Sequence, residues 1–341
     1  MTRRLAEVAK YVGVSEATVS RVLNGKPGIS DATRTAVLTA LDVLGYERPT
    51  KLRGERARLV GLVLPELQNP IFPAFAEVVA GALAKRGFTP VLCTRTADGV
   101  SEADYVDILL EQHVSGIIFC GGLYHQADAD HEHYHRLHDR GLPAVLVNAA
   151  IEDLGFPRVS VDDGHAVDQA YGHLTSLGHE RIGLLLGPAD HAPSNRKLAE
   201  FEVAVTAGGR SVTSDLVERA IFSLEGGRAG GTRLIRDGIT AMICASDVLA
   251  LGAVRGARRL GLSVPEDVSV VGFDDSQFMN CTDPPLTTVR QPIVAMGNAA
   301  VALLVNQVSG SEVPTEEMLF EPELVVRGST GPMRLSTVRA A

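Results

Sequence analysis

The segment LAEVAKYVGVSEATVSRVLN, residues 5–24, determines how the first part of the chain folds. Its apolar spacing predicts two short helices joined by a turn at Gly13, where glycine tolerates a positive φ. Ala9 is small enough to let the helices touch, and Ser15 is a good N-cap for the second helix. Apolar anchors cross the joint at Val8, Val14 and Val19. This arrangement predicts a helix-turn-helix unit over residues 1–46.

The second predicted helix has a polar face of the size that enters a DNA major groove. Arg21 can donate two hydrogen bonds to a guanine edge, and Ala17 can contact a thymine methyl group. Hydroxyl side chains beside them suit phosphates or base edges. The predicted DNA-binding residues on this segment are Ser15, Glu16, Ala17, Thr18, Ser20, Arg21 and Asn24. The alternative is a small helical packing domain that never meets DNA.

Charge is divided unequally along the chain. Residues 1–58 carry 11 Lys and Arg against 6 Asp and Glu, a balance of +5. The whole chain carries −9, so the remainder carries −14. A small basic segment attached to a large acidic body predicts that only the first part binds a polyanion such as double-stranded DNA.

From Leu59 onward, short apolar runs such as LVGLVLP (59–65) and RIGLLLG (181–187) alternate with helical stretches. This pattern predicts an α/β fold of parallel sheets that are covered on both faces. The runs form two series, which predict two lobes with a ligand cleft at the carboxyl ends of their strands. The predicted segments are a linker at 47–58, lobe 1 at about 59–157 and 290–318, lobe 2 at about 158–289 and 319–330, and a tail at 331–341.

The chain resembles the lactose-repressor/galactose-repressor (LacI/GalR) family from about residue 3 to 330. The resemblance rests on four segments that occur in the family's order: VSEATVSRVLNGKPGIS (14–30), LGHERIGLLLG (177–187), ASDVLALGAVRGARRLGLSVPEDVSVVGFDDS (245–276) and LTTVRQPI (286–293). The resemblance implies a transcription regulator, most often a repressor, that binds a pseudo-palindromic operator as a homodimer or tetramer. It also implies a body like a periplasmic sugar-binding protein, in which a small effector, a sugar or related metabolite, changes operator affinity.

The linker departs from the family, because it is shorter than usual. Family members carry a leucine here that wedges into the minor groove, and Leu52 is the only candidate for that role. Such a wedge unstacks a base step and bends the duplex. The alternative is a plain tether whose basic side chains contact phosphates.

Polar side chains that follow apolar strands are the candidates for effector binding. A carboxylate suits a polyhydroxylated ligand because it accepts more than one hydroxyl hydrogen bond. By resemblance, Asp247 and Asp274 line the cleft, and either Arg196 or Lys197 takes the place of an effector-binding arginine. The predicted effector-binding residues are Asn69, Phe72, Arg196, Lys197, Ser246, Asp247 and Asp274, with Asn148 and Asp162 as weaker candidates. Phe72 is equally well explained as a core residue.

No catalytic residue, metal site or cofactor is predicted, because the chain lacks the corresponding motifs. A transport protein with this body would need a signal peptide and no headpiece, and a sugar-processing enzyme would need a nucleophile and a base. A histidine-rich stretch is interpreted as a solvated helix face rather than a zinc site; its histidines are His125, His131, His133, His135 and His138. The four cysteines are expected to be reduced and buried in a cytoplasmic protein without a membrane span.

Overall fold

A computed structural model describes residues 2–23, 26, 28–44, 58–95, 99–149 and 154–334. The chain divides into two compact units, Met1–Arg58 and Leu59–Ala341. The division falls at the residue where the sequence predicts the body to begin. The predictions for Asn24 and Leu52 lie outside the described residues.

The first unit, the headpiece, has three helices: α1 (Thr2–Val12), α2 (Glu16–Leu23) and α3 (Asp31–Val43). The turn between α1 and α2 depends on Gly13, whose φ is +75°. Serine side chains cap the N-termini of the next two helices. Ser15 Oγ accepts from the Thr18 amide at 3.1 Å, and Ser30 Oγ accepts from the Thr33 amide at 3.2 Å. The small core is made of Val8, Ala9, Val19, Val22, Val37, Ala40 and Leu41.

The second unit, the body, alternates strands and helices. Its strands are β1 (Arg58–Leu64), β2 (Phe88–Thr94), β3 (Gly116–Phe119), β4 (Ala144–Val147), β5 (Arg158–Val161), β6 (Ile182–Leu186), β7 (Val217–Arg219), β8 (Ala241–Cys244), β9 (Ser269–Asp274), β10 (Thr287–Arg290), β11 (Glu317–Phe320) and β12 (Glu323–Val325). Its helices are α4 (Ile71–Ala84), α5 (Glu102–Glu111), α6 (Glu132–Asp139), α7 (Asp163–Ser176), α8 (Ala192–Ala207), α9 (Leu224–Arg236), α10 (Asp247–Arg259) and α11 (Ile293–Val308).

Two six-stranded sheets form the two lobes. The strand order is β11-β5-β4-β3-β1-β2 in lobe 1 and β12-β10-β9-β8-β6-β7 in lobe 2. In lobe 1, the neighbours in the series β1, β3, β4, β5 and β11 pair in parallel. In lobe 2, the neighbours in the series β7, β6, β8, β9 and β10 pair in parallel, whereas β12 runs antiparallel to β10. The central strands are buried because helices cover both faces, as the continuous apolar runs predict.

The predicted boundaries between the lobes are wrong by a few residues. The run at 158–162 was expected to open lobe 2, yet β5 pairs with β4 and β11 in lobe 1. Lobe 1 also keeps all of β11, which ends at Phe320. An apolar run carries no mark of which sheet it joins, so only its pairing partners decide. The chain therefore crosses between the lobes after β5, β10 and β11.

Helices α9 and α10 pack so closely at Gly252 that no side chain fits between them. A Cβ added at Gly252 would lie 2.3 Å from the Leu224 carbonyl oxygen and 2.7 Å from the Arg228 amide nitrogen. Gly252→Ala is therefore expected to lower the free energy of unfolding by about 1–3 kcal/mol, through forced separation of the helices. Thermal unfolding of the full chain measures the loss.

The matched control is Gly172→Ala in α7. A Cβ at Gly172 has no heavy atom within 4 Å, so this change is expected to leave stability equal or raise it by about 0.5–1 kcal/mol. Equal melting temperatures for the two variants would contradict the packing argument.

Candidate DNA-binding and effector sites

Helix α2 presents a polar face to solvent. Val19 and Val22 are fully buried, which turns the opposite side of this short helix outward. Glu16, Ala17 and Arg21 are exposed on that side, and Ser20 beside them is half-buried. Ser15 and Thr18 also reach the surface, but their hydroxyls bond each other at 2.9 Å and cap the helix. The structure thus brings the described members of the predicted DNA-binding set together at one helix.

The body encloses a cavity of about 300 Å³ at the carboxyl ends of both sheets. This volume is at the lower end of the range for small-molecule sites. Aromatic rings form its apolar walls, namely Phe72, Phe75, Phe222 and Phe273. Uncharged polar side chains converge on it, namely Asn69, Gln126, Asn148, Ser246 and Gln291.

Asp274 is the most unusual residue in the cavity wall. It is 5% exposed, and its φ of 120° is one that residues other than glycine rarely adopt. Oδ1 accepts from Gln291 Nε2 at 2.7 Å. Oδ2 makes no hydrogen bond of normal geometry in the part of the chain that the structure describes, although the Asn69 side chain lies close enough to lower the pKa of the carboxyl. Burial raises the pKa of Asp274 well above its usual value, and the nearby Asp247 carboxylate raises it further. A buried carboxyl oxygen without a partner can exchange a hydrogen bond with a ligand, because it accepts from a hydroxyl when ionised and donates to one when protonated.

Lys197 also lines the cavity, but its charge is already neutralised. The ammonium forms a buried ion pair with Asp163, and its Nζ lies 3.9 Å from the centroid of the Phe273 ring. Both members of the pair are 7% exposed. The cavity therefore offers no unpaired positive charge at this position.

Arg196 does not line the cavity, contrary to the expectation from sequence. It extends from α8 in lobe 2 to Glu317 in lobe 1, with hydrogen bonds of 2.7 and 2.8 Å to the two carboxylate oxygens. Adjacent residues on a helix point about 100° apart, so Arg196 and Lys197 cannot share one target. The arginine joins the two lobes instead of facing a ligand.

Asp247 is likewise outside the cavity lining, although Ser246 is part of it. Asp247 Oδ1 accepts from Thr288 Oγ1 at 2.6 Å and Oδ2 accepts from the Ser276 amide at 2.7 Å. Burial raises the pKa of this carboxyl to about 6. Asp247 thus joins three segments beneath the cavity. Of the weaker candidates, Asn148 lines the cavity, while Asp162 caps α7 through the His165 amide.

Sequence reasoning missed two histidines in the cavity wall, His125 and His191. Their rings contact each other edge to face, with centroids 5.4 Å apart. Each follows an apolar strand by a few residues, the same signal that identified Asn69. The charged residues Glu66 and Arg95 also line the cavity and follow β1 and β2.

The interpretation of the histidine-rich stretch as a solvated face is wrong in part. His133 is 3% exposed and lies 2.9 Å from the buried Glu102 carboxylate, which also accepts from Tyr134. His135 and His138 are exposed as expected. Within the described ranges, no group of three or more His, Cys, Asp or Glu side chains is placed to hold a metal ion.

Two other predictions can be compared with the structure. All four cysteines are free, but Cys281 is exposed rather than buried because it lies in the loop after β9. None of the described helices has the length and apolarity needed to cross a bilayer.

Two family profiles match the chain. The profile described as "Bacterial regulatory proteins, lacI family" matches residues 4–49. The profile described as "Periplasmic binding protein-like domain" matches residues 171–330.

Curated relatives match over nearly the whole length. The HTH-type transcriptional regulator reg1 of Streptomyces lividans is 54% identical over 335 residues, 97% of each chain. The HTH-type transcriptional regulator MalR of Streptomyces coelicolor is 52% identical over 334 residues, again 97% of each chain.

Solved structures resemble the protein in the same way. The transcriptional regulator CelR in complex with cellobiose is 33% identical, with a TM-score of 0.71 over 95% of this chain and 99% of that one. The lac repressor dimer bound to operator and the anti-inducer ONPF is 29% identical, with a TM-score of 0.72 over 95% and 98%.

Proposed function

Because the chain belongs to the LacI family of bacterial transcription regulators, we propose that it is a repressor controlled by a neutral sugar bound between its two lobes. The protein is a DNA-binding transcription regulator and not an enzyme. The proposal adds the sign of regulation, the chemical class of the effector and the residues that bind each partner.

The exposed face of α2 supports operator binding through Arg21, with Ala17, Ser20 and Glu16 beside it. The partner is a pseudo-palindromic double-stranded DNA, which two headpieces of a homodimer or tetramer bind symmetrically. The related lac repressor is a dimer on its operator. Such a regulator works in the cytoplasm, where the bacterial chromosome lies. Asn24 at the end of α2 and Leu52 as a minor-groove wedge remain predictions.

The unpaired Oδ2 atom of Asp274 carries the proposal for the effector. A sugar hydroxyl can donate to it, while the amides of Asn69, Asn148 and Gln291 suit further hydroxyls. Aromatic walls suit the apolar face of a pyranose ring. Lys197 is paired with Asp163, and Arg95 lies close enough to the Glu66 carboxylate to lower its pKa, so the site favours an uncharged ligand over an anionic one. The related CelR is bound to cellobiose, and a relative from Enterococcus faecium is bound to ribose.

Asp274→Asn tests the effector site, because it replaces the Oδ2 acceptor with a donor of similar size. A thermal-shift screen of neutral mono- and disaccharides, including cellobiose and ribose, identifies the ligand for the full chain. Titration calorimetry with that sugar is expected to show binding by Asp274→Asn that is about 5- to 150-fold weaker, a loss of about 1–3 kcal/mol.

Asp162→Asn is the matched control, since Asp162 caps α7 outside the cavity lining and asparagine caps equally well. It is expected to bind the sugar like the wild type. The same sugar should change operator affinity by about 5- to 150-fold, the usual size of such coupling. A screen in which anionic sugars bind and neutral ones do not would refute the proposed class.

A further inference from the structure

One contact joins the lobes beside the cavity. His125 belongs to lobe 1 and His191 to lobe 2, and their rings meet edge to face at 5.4 Å. Next to the rings, Gln126 and His191 form an isolated antiparallel bridge. There the Ala127 amide donates to the Asp190 carbonyl oxygen at 3.0 Å. Opening of the cleft would break both the ring contact and this hydrogen bond.

The position of His191 requires a neutral ring. Its Nδ1 atom caps α8 by accepting from the Ser194 amide at 3.3 Å, and it lies 2.9 Å from Ser194 Oγ. In this capping role Nδ1 is the unprotonated nitrogen of a neutral ring. A proton there would remove the cap and add positive charge at a helix N-terminus, where cations are disfavoured. Burial lowers the pKa of His191 to about 2, and the nearby positive charges of Lys197 and Arg219 act in the same direction.

The surroundings of His125 act on its pKa in both directions, and burial has the largest effect. Burial lowers its pKa to about 4, and the charge of Lys197 contributes. The Val147 carbonyl oxygen, 3.3 Å from Nε2, and the Glu102 carboxylate oppose this without reversing it. The other charged residues that line the cavity are Glu66, Arg95, Asp163 and Asp274, and in the described residues none of them hydrogen-bonds to either ring.

We propose that His125 and His191 make lobe closure sensitive to protons: the closed cleft requires both rings to be neutral, and protonation of either favours opening. The rings face each other across the lobes, so a cation on one opposes a cation on the other. Closure therefore releases the protons that the separated rings hold.

The direction and size of the pH effect on lobe closure follow from the linkage between proton binding and closure. Opening removes the burial that the facing lobe supplies, which raises the pKa of each ring toward its ordinary value of about 6.5, while the cap of α8 by His191 stays within lobe 2. The open state therefore binds more protons, and acid favours it. Two rings that reached this value in the open state would lower the ratio of closed to open forms by about 15-fold between pH 8 and pH 6, which is the upper limit of the effect. If the effector binds in the closed cleft, a step that rests on the proposed function, its affinity falls with pH in the same way.

Hydrogen exchange of the Ala127 amide tests the proposal without any effector. Its protection factor in the full chain, corrected for the intrinsic exchange rate, reports the closed fraction because its acceptor lies in the other lobe. We expect this factor to fall from pH 8 to pH 6, by up to about 15-fold. The Ala220 amide, which bonds Leu186 within lobe 2, should stay constant.

Two variants complete the test. In His125→Gln/His191→Asn neither side chain titrates, and asparagine can still cap α8, so the protection of Ala127 should no longer depend on pH. His135→Asn, at an exposed position on α6, should respond like the wild type. The proposal is overturned if Ala127 is unprotected at pH 8, if its protection does not fall, or if it falls equally in the double variant. Failure of the sugar screen would leave each of these readouts intact.

Discussion

Lys197→Met is expected to lower the free energy of unfolding of the body by about 3–5 kcal/mol. The substitution leaves the Asp163 carboxylate 7% exposed without its partner, and an unpaired buried charge is far more costly than the net gain from the pair. Methionine has a similar length and can keep contact with the Phe273 ring, so little packing is lost. Urea denaturation of the full chain, followed by circular dichroism, measures the change.

The double variant Asp163→Asn/Lys197→Met separates charge from shape. With both charges removed, most of the lost stability is expected to return, because well-packed neutral residues often replace a buried pair at little cost. Asp163→Asn alone should be destabilised too, since it leaves the ammonium unpaired. A double variant as unstable as Lys197→Met would show that the pair is not the source of the loss.

This result also bears on how the family resemblance is applied at α8. The resemblance places an effector-binding arginine at Lys197 or its neighbour Arg196. In the structure, Lys197 is neutralised within lobe 2, and Arg196 connects the lobes through Glu317. If Lys197 were chiefly a ligand for an anionic effector, Lys197→Met would abolish effector binding with stability unchanged.

The predicted fold class is confirmed, because periodic patterns carry it. The spacing of Val8, Val19 and Val22 predicts the first two helices of the headpiece and the side that each buries, and the apolar runs predict parallel sheets. The lobe boundaries could not be read in this way. The positions at which the chain crosses between the lobes depend on strand pairing. The sequence of β5 does not indicate which of the two sheets this strand joins.

The candidate site was likewise predictable only in part from the sequence. Strand ends correctly pointed to a cavity, and Asn69, Phe72 and Asp274 lie in its wall. The direction of single side chains was not predictable: Ser246 faces the cavity, while Asp247, one residue later, turns beneath it to bond Thr288. His125 and His191 also follow apolar strands, but nothing in the sequence indicates that two histidines from distant parts of the chain meet, and only the approach of the lobes brings them together.

Arg21→Ala is expected to weaken operator binding by about 1–3 kcal/mol at each half-site, which is the value of one bidentate contact to guanine. In the proposed dimer the change removes two arginines at once, so the total loss is about 2–6 kcal/mol. The operator itself can be selected from random duplexes with the wild-type full chain. Fluorescence anisotropy at one fixed salt concentration then measures both proteins on the selected duplex and on random competitor.

The comparison with Arg21→Lys decides whether this side chain selects bases or only attracts phosphates. Lysine keeps the charge but lacks the planar pair of donors that matches a guanine edge. For a base-reading role, both variants lose the preference for the selected duplex, while their affinity for random DNA changes much less. For a phosphate contact, Arg21→Lys behaves like the wild type, and Arg21→Ala weakens all duplexes alike with a smaller salt dependence. That second pattern would remove Arg21 from the centre of the recognition face, because exposure on α2 alone does not make a side chain specific.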